Sequence, residues 1–104
     1  MIIMNNRYEI AREFANAINS DKIDKIILFG SVARKEDTED SDIDILIVSD
    51  YWEEIDPIIT DVVGDILLNQ QELISPHIMS VERFNNIKDY SFLTNVLENG
   101  IELV

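Results

Sequence analysis

Apolar residues recur along this chain with two different periods. In residues 7–20, Tyr8, Ala11, Phe14, Ala15 and Ile18 return every three or four positions, which predicts an amphipathic helix. Residues 26–29 are instead a short unbroken run, Ile-Ile-Leu-Phe, ended by Gly30; brevity and β-branched content predict a buried strand. Ile43–Val48 predicts a second strand. Alternation puts Ile43, Ile45 and Ile47 on one face and Asp42, Asp44, Leu46 and Val48 on the other. Its inner part is apolar on both faces, so it belongs in mid-sheet with cover on each side. The strongest helical stripe lies in residues 52–69, through Ile55, Ile58, Ile59, Val62, Val63, Ile66 and Leu67. Pro57 suits only the first turn of such a helix, which predicts Asp56 as its N-cap. Residues 72–79 predict a third strand. Pro76 cannot donate to a ladder, so that strand belongs at an edge or carries a bulge.

A helical turn is expected near Ser80, Arg83 and Phe84, and a short helix over residues 89–98, stopped by Asn99 and Gly100. The apolar tail, residues 101–104, is expected to fold back onto its own sheet. The predicted class is α+β: an α/β sandwich in which a small mixed sheet carries helices packed on it.

Composition sharpens this picture in three ways. At 104 residues and 46% hydrophobic, residues 1–104 are expected to form one domain with a real core. The longest apolar runs fall far short of the roughly 20 residues of a membrane helix. No basic start and long apolar stretch marks a secretory leader, and cysteine is absent, which excludes disulfides and thiolate zinc sites; a cytoplasmic location is expected. Charge is the strongest bias: 21 acidic residues against 8 basic give a net of −13. Such a surface repels phosphate backbones, so direct nucleic-acid binding is not expected; it suits a basic protein partner or bound divalent cations.

The chemistry is concentrated between Phe29 and Ile45. A glycine ending a buried strand lets a ligand approach the backbone, and a helix starting at Ser31 would present free amides and a hydroxyl to a phosphate. Gly-Ser alone is equally an ordinary turn with Ser31 as N-cap. Asp42 and Asp44, two apart on a strand, project from one face. Unpaired they repel each other, whereas divalent cations relieve the repulsion. They would otherwise sit at the strand mouth and cap turn amides. Joined to the strand-Gly-Ser turn, the Asp-x-Asp becomes specific.

Gly30-Ser31-Val32-Ala33-Arg34, followed by Ser41-Asp42-Ile43-Asp44, resembles the signature of the DNA polymerase β-like nucleotidyltransferase superfamily. The likeness is closest to its single-domain branch, the minimal nucleotidyltransferases found as antitoxins beside HEPN-domain ribonucleases. The resemblance implies a polymerase β palm-like fold and transfer of a nucleoside monophosphate, AMP from ATP, onto a hydroxyl. It implies that Gly30 and Ser31 hold the β/γ-phosphates, and that Asp42 and Asp44 hold two Mg²⁺ or Mn²⁺ ions. Arg34 would contact the triphosphate or brace the acidic loop of residues 36–40. The implied acceptor is a tyrosine of a basic HEPN-type partner; self-association is the other implied cover for so open a site.

Two positions depart from the family pattern. Lys35 stands where many members have glycine, and the third strand lacks the carboxylate that active members place there. Glu72 is the nearest acid. Ser75 and His77 take the facing positions; His77 would bind a metal, accept the acceptor's proton, or simply be bonded at the sheet edge. An alternative therefore stands beside the enzyme: a nucleotide-binding antitoxin or regulatory subunit with little or no turnover, acting by binding its partner.

Overall fold

The computed structural model describes residues 6–86, 94, 96 and 98–104. Their elements follow in the order α1 (Arg7–Ile18), β1 (Lys25–Phe29), α2 (Gly30–Ala33), β2 (Ile43–Val48), α3 (Trp52–Gln70), β3 (Ile74–Met79), α4 (Val81–Asn86) and β4 (Ile101–Glu102). The strands form one mixed sheet in the order β3-β2-β1-β4, with β2 antiparallel to β1 and parallel to β3, and β4 antiparallel to β1. This is the expected α+β class.

β2 lies inside the sheet because both of its faces have apolar cover. Ile43, Ile45 and Ile47 pack with Phe14 and Ile18 of α1 and with Ile55, Ile59 and Ile66 of α3. On the opposite face Leu46 and Val48 pack with Ile27, Phe84 and Val96. Asp44 projects on this second side, at the end of β2 where the apolar cover stops. The tail returns to the sheet as expected: β4 pairs with β1, and the Leu103 amide donates to the Ile26 carbonyl at 2.8 Å. Of the helix expected over residues 89–98, much lies outside the described residues; Thr94, Val96, Glu98 and Asn99 are helical.

Pro76 sits on the edge strand, and the ladder explains how. The carbonyls of Leu73 and Met79 accept from Ile43 of β2 and from Ser49 just after it. Alternate residues therefore face the ladder, and Pro76, out of phase with them, turns its missing N–H outward. A proline there also blunts the open edge against another strand.

Three local expectations are corrected. Asp56 is not the cap of α3: the helix begins five residues before Pro57, with Tyr51 as N-cap and its carbonyl accepting from Glu54 and Ile55. The turn after β2 fixes that start, since Ser49 Oγ donates to the Lys22 carbonyl and accepts from the Tyr51 amide. Pro57 then costs a bond only at the carbonyl of Glu53, an exposed residue. The α3 stripe is also wider than its cover, leaving Ile58 and Leu67 exposed. In α1 the buried set is Arg7, Ile10, Ala11, Phe14, Ala15 and Ile18, while Tyr8 is exposed. Among the described residues, no helix is long and apolar enough to cross a membrane.

Candidate active site

The sheet brings the two parts of the predicted site to one mouth. β1 and β2 pair with Phe29 opposite Asp44, so the chain turns at Gly30 directly beside that carboxylate. Gly30 has φ +77°, a left-handed conformation that side chains disfavour. A Cβ built there would overlap Asp44 Oδ2 and lie 3.2 Å from its Cγ. Glycine is thus required twice, by backbone shape and by the acid's occupancy of the space. Ser31 lies in the same turn, but as a residue of α2; the N-cap is Phe29, so the reading of Ser31 as a simple cap does not hold. Gly30→Ala is expected to lose about 1–2 kcal/mol of stability from backbone strain alone. Because the new methyl also displaces Asp44, activity should fall further than that loss of folded protein explains. Urea unfolding beside a transfer assay separates the two effects.

Asp44 gathers the remaining side chains. Burial raises its pKa above the usual carboxylate value, and the Asp42 charge adds to that rise. His77 opposes the shift, with Nε2 at 3.7 Å from Asp44 Oδ1, and the Arg34 guanidinium opposes it more weakly. Asp42, Arg34 and His77 therefore all act electrostatically on Asp44. Asp42 itself is exposed, just before β2 begins.

Arg34 meets the acidic loop between α2 and β2 at its first residue, but the stronger brace comes from elsewhere. Arg34 Nε pairs with Glu36 at 3.1 Å, and both side chains are exposed. The brace is Arg7, buried at the start of α1. Its Nη1 reaches Asp37 at 3.0 Å and the Thr38 carbonyl, and its Nη2 donates to the Glu39 carbonyl at 3.0 Å. Its Nε donates to Glu72 at 3.0 Å. Glu72 is thereby buried in an ion pair with the scaffold, which makes it a poor stand-in for a third site carboxylate. The sequence does carry a signal for Arg7, since it lies on the same helical stripe as Ile10, Phe14 and Ile18.

Among the described residues, no set of three or more His, Cys, Asp or Glu side chains could hold a metal ion unaided. The donors that are present still fit a magnesium-type ion. Such ions are usually held by one or two carboxylates together with substrate phosphates, and a crowded, partly desolvated carboxylate gains from a cation.

The chain is similar to known proteins over most of its length. Residues 10–100 match the family described as nucleotidyltransferase domain. Over 98 residues the chain is 45% identical to a candidate protein adenylyltransferase of Methanocaldococcus jannaschii, covering 91% of this chain and 95% of that protein. Its fold is similar to a chain from a crystal structure of a toxin–antitoxin with AMP-PNP: TM-score 0.56 at 17% identity, covering 97% of this chain and 73% of that one. A candidate nucleotidyltransferase from Sulfolobus solfataricus gives TM-score 0.56 at 16% identity, covering 98% and 89%.

Proposed function

The chain belongs to the nucleotidyltransferase domain family, and from that premise we propose that it moves AMP from ATP onto a hydroxyl of a partner protein. The observation that carries this reading is the contact of Gly30 with Asp44, which sets a cradle for phosphate against an acid that wants a cation. The amides and hydroxyl of the Gly30-Ser31 turn would hold the β/γ-phosphates, since amides at the start of a helical turn lack partners within it. Among the described residues the Arg34 side chain makes an exposed pair with Glu36, a contact of small energy, so it can swing to the triphosphate. Asp42 and Asp44 would hold divalent cations, which supply charge neutralisation of the triphosphate and the entering oxygen. The acceptor oxygen bonds to the α-phosphorus as the bond to the bridging oxygen breaks; pyrophosphate leaves, and the hydroxyl proton passes to solvent. The work of the protein is alignment and charge placement.

The partner we propose is a basic protein, because a surface of net charge −13 attracts one and repels long nucleic acid. A tyrosine of a HEPN-type toxin is the acceptor implied by the motif resemblance, with this chain as the antitoxin. The relative's name, an adenylyltransferase acting on protein, supports AMP and a protein acceptor. We take residues 1–104 to act as one domain, in the cytoplasm where ATP is at hand. With Mg²⁺ or Mn²⁺ and the product of the neighbouring gene, ATP labelled at the α-phosphate should label that product, and γ-labelled ATP should not. No label under any metal or nucleotide would reject transfer.

A second reading is favoured by one observation: His77, not an acid, stands beside Asp44 on β3. The chain would then restrain its partner by binding alone. In that case Asp42→Asn leaves inhibition of the partner intact, whereas loss of inhibition shows that transfer is required.

A further inference from the structure

We infer that His77 and Asp44 form a mixed nitrogen–oxygen donor pair, which turns the cation preference of this site away from Mg²⁺ and towards first-row transition ions. The inference rests on the transfer reading above, because it concerns the cation that reading requires.

The sheet register supplies the pair. Ser75 lies opposite Asp44 and His77 opposite Leu46, so His77 is diagonal to Asp44 across the parallel strands β2 and β3, on the same face. Nε2 stands 3.7 Å from Asp44 Oδ1. That is long for a direct hydrogen bond. It is close to the spacing of two donors on one ion, roughly 3–3.5 Å when each lies about 2.1 Å from the metal. A small side-chain adjustment would let one cation bridge them.

The ring is also held in place. Phe29, opposite Asp44 on β1, packs edge-on against the imidazole with centroids 5.2 Å apart and planes at 63°. The His77 side chain is 45% exposed, so water and substrate oxygens can complete the coordination. Imidazole nitrogen is a poor donor for Mg²⁺, which prefers hard oxygens, and a good one for Co²⁺, Ni²⁺ or Zn²⁺. The same two strands with an oxygen donor in place of the ring would lose that bias.

His77 is the only histidine in the chain, so its ring signals in an NMR spectrum are unambiguous. The probes are Co²⁺ and Mg²⁺ alone, titrated into the full chain by calorimetry and by proton NMR. Co²⁺ should bind more tightly than Mg²⁺ and shift the ring protons strongly, and Asp44→Asn should abolish that shift. Carboxylates alone already favour Co²⁺ modestly, so the deciding variant is His77→Asp, which keeps the number of donors. It should lower the Co²⁺-to-Mg²⁺ affinity ratio by roughly tenfold or more. An unchanged ratio, ring protons that saturating Co²⁺ leaves in place, or a shift that survives Asp44→Asn would each overturn the inference. If the ions bind through Asp42 and Asp44 with no dependence on His77, the transfer reading stands and only this inference falls. If neither ion nor Mn²⁺ binds even with a non-hydrolysable ATP analogue present, the cation clamp of the transfer reading falls too.

Discussion

Asp44→Asn is expected to remove nucleotidyl transfer and, at the same time, to raise the thermal stability of the protein measured without ligand. Burial is the first cause of the raised carboxyl pKa, and the charge of Asp42 works in the same direction; the opposing pull of His77 and Arg34 does not cancel them. The sign follows from linkage. A carboxyl whose folded pKa lies above its unfolded value of 3.8 favours folding in its protonated form. That contribution is full below 3.8 and is lost as pH rises through the folded value. At neutral pH the group is charged in both states, so in the fold its charge is a burden. Asparagine keeps the shape and drops the charge. The melting temperature at pH 7 should therefore rise. The gain should shrink as pH falls through the raised folded value, where the native carboxyl takes up its proton. Transfer should fall by about 10³-fold or more, as when a group that stabilises transition-state charge is removed. Scanning calorimetry at two pH values, run beside the labelled-ATP assay, checks both halves. A less stable Asp44→Asn would mean that the carboxylate supports the fold.

That trade between stability and chemistry also separates what could be read in the sequence from what could not. The extent of β2, its place inside the sheet and the edge position of β3 follow from strand alternation and from proline's missing N–H, rules that act over a few residues. The juxtaposition of Gly30 with Asp44 is legible for a related reason. Each half carries a chemical oddity, a glycine closing an apolar strand and two acids opening another, and an antiparallel pairing of those strands joins the two. The start of α3 is less legible, because Pro57 is tolerated in the helix interior only by virtue of its exposed position, and exposure is a property of the finished packing. The larger part played by Arg7 is hidden for a similar reason. The acidic loop attracts cations, and the nearest along the chain are Lys35 and Arg34, the second of which pairs with Glu36. The stronger brace, Arg7, has partners 30 and 65 positions away. No local pattern names those partners, although an arginine on the buried stripe of α1 shows that it must have some.

Arg7→Met should be among the most damaging single changes to the fold. The Arg7 side chain is 6% exposed and that of Glu72 is 11%, so removing the guanidinium takes the counter-ion from a carboxylate that water reaches poorly. Breaking a buried ion pair from one side typically costs about 3–5 kcal/mol, a large part of the total stability of a domain this small. The Glu39 carbonyl loses the guanidinium donor as well, the Thr38 carbonyl keeps the Ser41 amide but loses Arg7, and Asp37 loses its counter-ion. The loop they belong to runs directly into Asp42. Transfer by the fraction that remains folded should therefore fall too, through poorer placement of that acid. The double change Arg7→Met with Glu72→Leu tells these effects apart. Filling the buried end with apolar side chains removes that carboxylate's charge, and such replacements are often neutral or stabilising. Urea unfolding should show the double variant recovering more than half of the loss in Arg7→Met, with the remainder owed to the two carbonyls. Activity should not recover with it, because the loop still lacks its brace. A double variant as unstable as Arg7→Met would place the cost in the loop contacts alone, and full recovery of activity would mean that Asp42 is positioned without Arg7.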